Sequence, residues 1–238
     1  ANAVEAEIQM LQKEFGIHPE AIEDIVLLTP SDKLSLRKQQ YPSIDVQPLY
    51  FNTSELSVED WNFLMGTAAN SSLYIRQLKS IIRMNRHNLK FSEIEHSIEE
   101  EEMEERSKKL LKQRLNFVRE YIDDTIYLKD TLRPGRIIIV DVRDEFIEED
   151  EALGLFMVML RIFSDVMYEG KSFNKLIVFD EAHKFMKGEQ LMGNVIEVIR
   201  EMRHKGVSVL IASQNPPSVP KEIIELSNIV VLHKFNAP

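Results

Sequence analysis

Asp180 and Glu181 stop a run of apolar residues, Leu176 to Phe179. A carboxylate pair in that position can divide the work of phosphoryl chemistry. The first acid can hold Mg²⁺ through water, and the second can orient or activate a water for attack on a γ-phosphate. Further along, a second apolar run from Val207 ends in Ser213, Gln214 and Asn215, just before Pro216 and Pro217. An amide at that tip, Gln214, can touch the γ-phosphate or the attacking water. Each feature also has a plain reading. Strands commonly end in polar residues, and Asn-Pro and Pro-Pro favour turns on their own. Two such ends separated by one helix make the chemical reading the better one.

These groups need elements to carry them. "RIIIVDV" (136–142), "KLIVFD" (175–180), "VSVLIAS" (207–213) and "NIVVLHK" (228–234) read as four strands. Between them "ALGLFMVMLRIFSDVMY" (152–168) reads as a helix apolar on most faces. "NVIEVIREMRHKG" (194–206) reads as an amphipathic helix, with Val195, Ile199 and Met202 on one face and Gly206 as its stop. Apolar strands alternating with helices predict a parallel sheet covered on both faces. In such a sheet ligands gather at the carboxyl ends of the strands, where Asp180, Glu181 and Gln214 stand. The acids then follow the logic of a Walker B strand, and Gln214 that of a sensor.

The rest of the chain divides by pattern into an N-terminal part (1–65), a charged helical insertion (66–131) and the strand-rich region (132–238). In the first part, "IVLLT" (25–29) and "VQPLYF" (46–51) read as strands. Ser57 and Asp60 form a capping box ahead of a helix through Trp61, Leu64 and Met65. The insertion opens with Arg76, Lys79, Arg83, Arg86 and Lys90, passes through eight acids between Glu93 and Glu105, and returns to a basic helix. That last helix spaces Leu111, Leu115, Val118 and Ile122 on one face. The basic stretch suits DNA phosphates or a neighbouring subunit, but pairing with the acidic stretch beside it is the expected outcome.

The bulk composition narrows the classes. The 238 residues carry a formal charge of −10, so the surface as a whole does not attract nucleic acid and any contact must be local. There is no cysteine, which excludes disulfides and thiolate metal sites. No apolar run is long enough for a membrane span, and the first residues do not form a secretory signal, so a cytoplasmic protein is expected.

The stretch "LIVFDEAHKF … VIREMRHKGVSVLIASQNPPSVPKEIIELSNIVVLHKF" resembles the C-terminal half of the ATPase core of HerA-type proteins, in the HerA/FtsK clan of RecA-like P-loop motors. The resemblance is strongest over 133–238. "DEAH" also occurs in superfamily 2 helicases, but there the next strand ends in Ser-Ala-Thr, whereas here it ends in Ser213-Gln214. The resemblance implies a RecA-like, mostly parallel sheet flanked by helices. It also implies ATP and Mg²⁺ as ligands, a homo-hexameric ring that translocates double-stranded DNA, and a possible nuclease partner. Residue by residue, it gives Asp180 the Mg²⁺-associated role, Glu181 the catalytic glutamate and Gln214 the sensor. The basic end of "IREMRHKG" falls where the family carries an arginine that reaches a neighbour's nucleotide, with Arg203 the first choice and Arg200 the second. His183 and Lys184 receive no catalytic role.

A phosphate loop, G-x-x-x-x-G-K-[ST] between a strand and a helix, would complete the site. The Gly-Lys-Ser at Gly170–Ser172 fails this test. Its first glycine position is Asp165, a helix precedes it, and "FNK" leads straight into the next strand. The chain therefore reads as a piece of a longer protein whose loop lies upstream of Ala1. The second reading is a non-catalytic RecA-like module for oligomerisation or partner docking.

Overall fold

The computed structural model describes residues 2–18, 22–65, 73–84, 89–143, 147–182, 189–215, 217 and 219–232. Helix α1 (Asn2–Phe15) leads into strand β1 (Ile25–Thr29), helix α2 (Leu34–Gln40) and strand β2 (Asp45–Pro48). Helices α3 (Val58–Leu64), α4 (Leu73–Met84), α5 (Phe91–Glu100) and α6 (Glu105–Arg119) follow, then strand β3 (Ile137–Val140). The remainder alternates: α7 (Glu149–Asp165), β4 (Lys175–Phe179), α8 (Glu189–His204), β5 (Val207–Ile211) and α9 (Lys221–Leu226).

All the strand pairs are parallel, in two sheets ordered β2–β1–β3 and β4–β5. Leu27 lies opposite Val46 on one side and Ile139 on the other. The α2 and α8 crossovers supply the long connections that parallel pairs require. The fold is RecA-like: mostly parallel strands flanked by helices.

Two strand expectations are corrected. The strand ends at Pro48, Leu49 N still donates to Thr29 O of β1 at 2.8 Å, and Phe51 then bridges to Ile122 instead, with Phe51 N donating to Tyr121 O at 2.8 Å. The expected strand at 228–234 carries no strand over its described part, and Ile229 to Leu232 are 59–84% exposed. A strand exists only where a neighbour accepts its hydrogen bonds, and among the described residues none lies beside this run. Residues 233 and 234 fall outside the described set.

The capping box forms as read: Ser57 N donates to Asp60 Oδ2 at 2.6 Å, and Asp60 N donates to Ser57 Oγ at 3.2 Å. Asp60 is fully buried and also accepts from Arg161 Nε at 2.6 Å, which ties α3 to α7. These two helices approach so closely that a Cβ on Gly154 would lie 2.4 Å from the carbonyl oxygen of Phe63.

The apolar girth of α7 has a clear cause. Leu155, Val158, Met159 and Ile162 enter a large core with Val26, Leu28, Trp61, Leu78, Ile94 and Leu111. Leu153, Met157 and Leu160 enter a second core with Phe179, Ala182, Ile199, Met202 and Val207 beneath β4–β5. The helix ends three residues before the expected Tyr168. There Lys175 Nζ donates to the carbonyls of Ser164 (3.0 Å) and Val166 (2.6 Å), fixing the start of β4 to the end of α7. Burial lowers the pKa of this amine.

The expectation that every strand is covered on both faces holds only partly. On β4, Lys175 and Phe179 are buried while Leu176 and Val178 are 65% and 54% exposed; Leu210 of β5, opposite Val178, is 48% exposed.

The charged stretch folds onto the large core through Ile75, Leu78, Ile82, Phe91, Ile94, Ile98, Leu111, Leu115 and Val118. Asp124 ties it to the N-terminal part, accepting from Thr53 N at 2.8 Å and from Phe91 N at 3.1 Å.

Candidate functional site

The site is built where β4 and β5 end together. Past Phe179 and Ile211 the two strands stay linked: Ala212 N donates to Phe179 O at 2.8 Å, and Ala182 N donates to Ala212 O at 3.0 Å. Ala182 is fully buried and seals the sheet end against the core. The two acids before it are thereby left at the surface, Asp180 exposed and Glu181 half-buried.

The turn that places them is unusual. Glu181 has φ +52, a left-handed conformation that a non-glycine residue adopts at a cost of about 1–3 kcal/mol. Its N–H donates to Asp180 Oδ1 at 3.0 Å, so the first carboxylate stabilises the turn that presents the second. From the other strand, Gln214 Nε2 donates to Glu181 Oε1. Gln214 is aimed by a local turn in which Asn215 N donates to Ser213 Oγ at 3.1 Å and that hydroxyl donates to Asn215 O at 3.2 Å. Asp180, Glu181 and Gln214, singled out from separate parts of the sequence, thus form one cluster at the carboxyl ends of parallel strands.

The arginines lie elsewhere. α8 crosses from the end of β4 to the start of β5, and Arg200 and Arg203 stand near its C-terminus, close to the amino end of β5. Arg200 is 11 residues beyond Glu189, about 16 Å along the helix. Its side chain is exposed. Arg200 does not share the strand-end cluster in its own chain. The side chain of Arg203 lies outside what the structure describes, as do His183 and Lys184. Gly206 ends this part of the chain at φ +70, as its reading as a helix stop requires.

Gly170 and Lys171 sit in a turn bridged by Tyr168 and Lys171, followed directly by β4. No helix N-terminus faces them, so this is not a phosphate loop.

Among the described residues no group of three His, Asp or Glu side chains could enclose a metal. Mg²⁺ does not need such a group, since it commonly keeps several waters and is held by one or two carboxylates and substrate phosphates, and the exposed carboxylate of Asp180 is a donor of that kind.

Sequence reasoning missed a second polar cluster, at the carboxyl end of β3. Asp141, 7% exposed, accepts from Arg143 Nε at 2.8 Å and from Arg143 Nη2 at 2.7 Å. Arg37 Nε of α2 lies 3.1 Å from Asp141 Oδ2, the oxygen that Arg143 Nη2 also reaches. The bonds from Arg143 hold this carboxyl below the usual carboxylate range, and nearby Arg37 adds to the effect. The signal was the Asp-x-Arg after an apolar run; its meaning depended on Arg37, more than a hundred residues away in sequence.

Parallel strands, helical crossovers and an acid–amide cluster at the strand ends define a RecA-like α/β core. A solved structure with a similar fold is that of VirB4 of Thermoanaerobacter pseudethanolicus, with a TM-score of 0.51 and 10% identity, covering 94% of this chain and 69% of that one. Residues 154–237 match the family described as Helicase HerA-like C-terminal, so this part of the chain is similar to the C-terminal part of HerA-like ATPases. The match takes in β4, β5 and all three cluster residues. No curated protein matches the chain.

Proposed function

We propose that this chain is part of a subunit of an ATP-driven, double-stranded DNA translocase or helicase of HerA type, and that it carries the water-activating half of the nucleotide site. The observation that supports this most is the hydrogen bond from Gln214 to Glu181 across the ends of β4 and β5. It orients a carboxylate beside an amide where a parallel sheet binds its ligands. Glu181 aligns the attacking water and accepts its proton. Gln214 holds that carboxylate and reads the terminal phosphate. Asp180 would hold Mg²⁺, which would supply charge neutralisation on the phosphate oxygens.

The phosphate loop comes from a segment outside these residues. Arg203, or Arg200, stabilises transition-state charge in a neighbouring subunit of a homo-hexamer. Their distance from the strand-end cluster of the same chain favours action in trans. A nuclease partner working beside the ring belongs to the same reading.

The test is Glu181→Gln in the assembled protein that supplies the loop. ATP hydrolysis stimulated by duplex DNA should fall at least about a hundredfold while ATP binding persists. Hydrolysis at an undiminished rate would overturn the assignment. The isolated 238-residue chain should show negligible turnover, and measurable turnover by it would overturn the view that the loop lies elsewhere.

A further inference from the structure

The orientation of α4 is fixed by its apolar face. Ile75, Leu78, Ile81 and Ile82 are all 4% exposed or less. The opposite face carries Arg76, Lys79 and Arg83. Lys79 and Arg83 are one helical turn apart, and Arg76 to Arg83 spans about 10 Å along the axis. The surrounding sequence is unusual for an acidic chain: from Trp61 to Ser92 there is no Asp or Glu, yet there are five Arg or Lys. Like charges at i and i+4 oppose helix formation unless an anion offsets them.

α6 is also basic, and three of its six cations are paired within the chain. Lys112 pairs with Glu99 at 2.5 Å, Arg119 with Glu95, and Arg114 with Glu151 at 3.3 Å. The pairing expected of the charged stretch therefore occurs between α5 and α6. It does not extend to α4: Arg76 is engaged within the chain, but Lys79 and Arg83 form no ion pair among the described residues.

From this contrast we infer that the Lys79–Arg83 ridge of α4 binds the phosphodiester backbone of duplex DNA. The inference rests on the reading of the protein as a DNA motor. A line of cations on a rigid helix suits a line of phosphates and makes a contact that positions the duplex without reading its sequence. The net negative charge of the rest of the chain makes the contact weak at distance and dependent on this ridge.

The test is fluorescence anisotropy of a labelled duplex against the 238-residue chain over a series of KCl concentrations, without nucleotide. Lys79→Glu/Arg83→Glu should weaken binding at least tenfold at low salt. Lys79→Gln/Arg83→Gln should weaken it less, and should lower the slope of log affinity against log salt by about two, one for each lost phosphate contact. Lys109→Glu, an exposed site on α6, should change neither. Unchanged affinity and slope in both double variants, with the wild type binding, would overturn the inference and leave the motor reading standing. So would an equal loss in Lys109→Glu, or a change in self-association with DNA affinity intact. No binding by the wild type would overturn it too; the motor reading is judged separately, by the hydrolysis of Glu181→Gln.

Discussion

The β2–β1–β3 and β4–β5 sheets are both parallel and both apolar in sequence, yet they meet water differently. β1 is central in its sheet, and Val26, Leu27 and Leu28 are all 3% exposed or less. Its ends are tied by ion pairs: Asp24 to Arg133 and Arg136 at the amino end, Asp141 to Arg37 and Arg143 at the carboxyl end. On β4–β5 Leu176, Val178 and Leu210 are exposed among the described residues, and its carboxyl ends hold a carboxylate against an amide through a left-handed turn. The first sheet places its polar groups where they neutralise one another. The second places them at the strand ends, with Glu181 held in an energetically costly turn.

The same substitution in each sheet tests this contrast. Leu28→Ala in β1 should cost about 2–5 kcal/mol in urea unfolding, as expected for a fully buried leucine. An effect near zero would mean that the first sheet is not the rigid partner.

Asp141→Asn should have a smaller effect, about 1–3 kcal/mol at neutral pH, because it leaves Arg37 buried without its counter-charge. The pH dependence follows from the direction of the shift. The folded carboxyl titrates below its unfolded value of about 3.9, so its contribution is complete above that pH and is lost as pH falls through the folded value. The stability gap between wild type and Asp141→Asn should therefore close below about pH 4. A gap constant from pH 7 to pH 2 would show that the ion pairs play no part.

The smallest effect belongs to Leu176→Ala on the open face of β4. With the side chain 65% exposed, the change should stay within about 0.5 kcal/mol in this chain. A loss comparable to that of Leu28→Ala would show that this face is covered in solution and would remove the contrast.

Much of this was legible in sequence because it depends on short-range periodicity. Apolar runs located all five strands, and the Ser57–Asp60 box marked the start of α3. The acids after "LIVF" and the Gln after "VSVLIAS" named the site residues. What stayed hidden depended on neighbours distant in sequence. The Ile229–Leu232 run has strand composition but no pairing edge among the described residues. The Asp141–Arg37 contact joins residues about a hundred apart. The cations of α4 and α6 look alike in sequence, and only packing shows that Glu95 and Glu99 of α5 pair with Arg119 and Lys112 of α6 and not with Lys79 or Arg83.

The sequence by itself determined that Asp180, Glu181 and Gln214 stand at strand ends, because residue type and apolar run length are local properties. Only the tertiary structure decided that Glu181 and Gln214 meet, that Arg200 lies near the other end of the sheet, and that β1 is buried while β4 and β5 keep Leu176, Val178 and Leu210 exposed. Those outcomes depend on strand register, helix direction and which surfaces find a partner, and none of these is a property of a short segment.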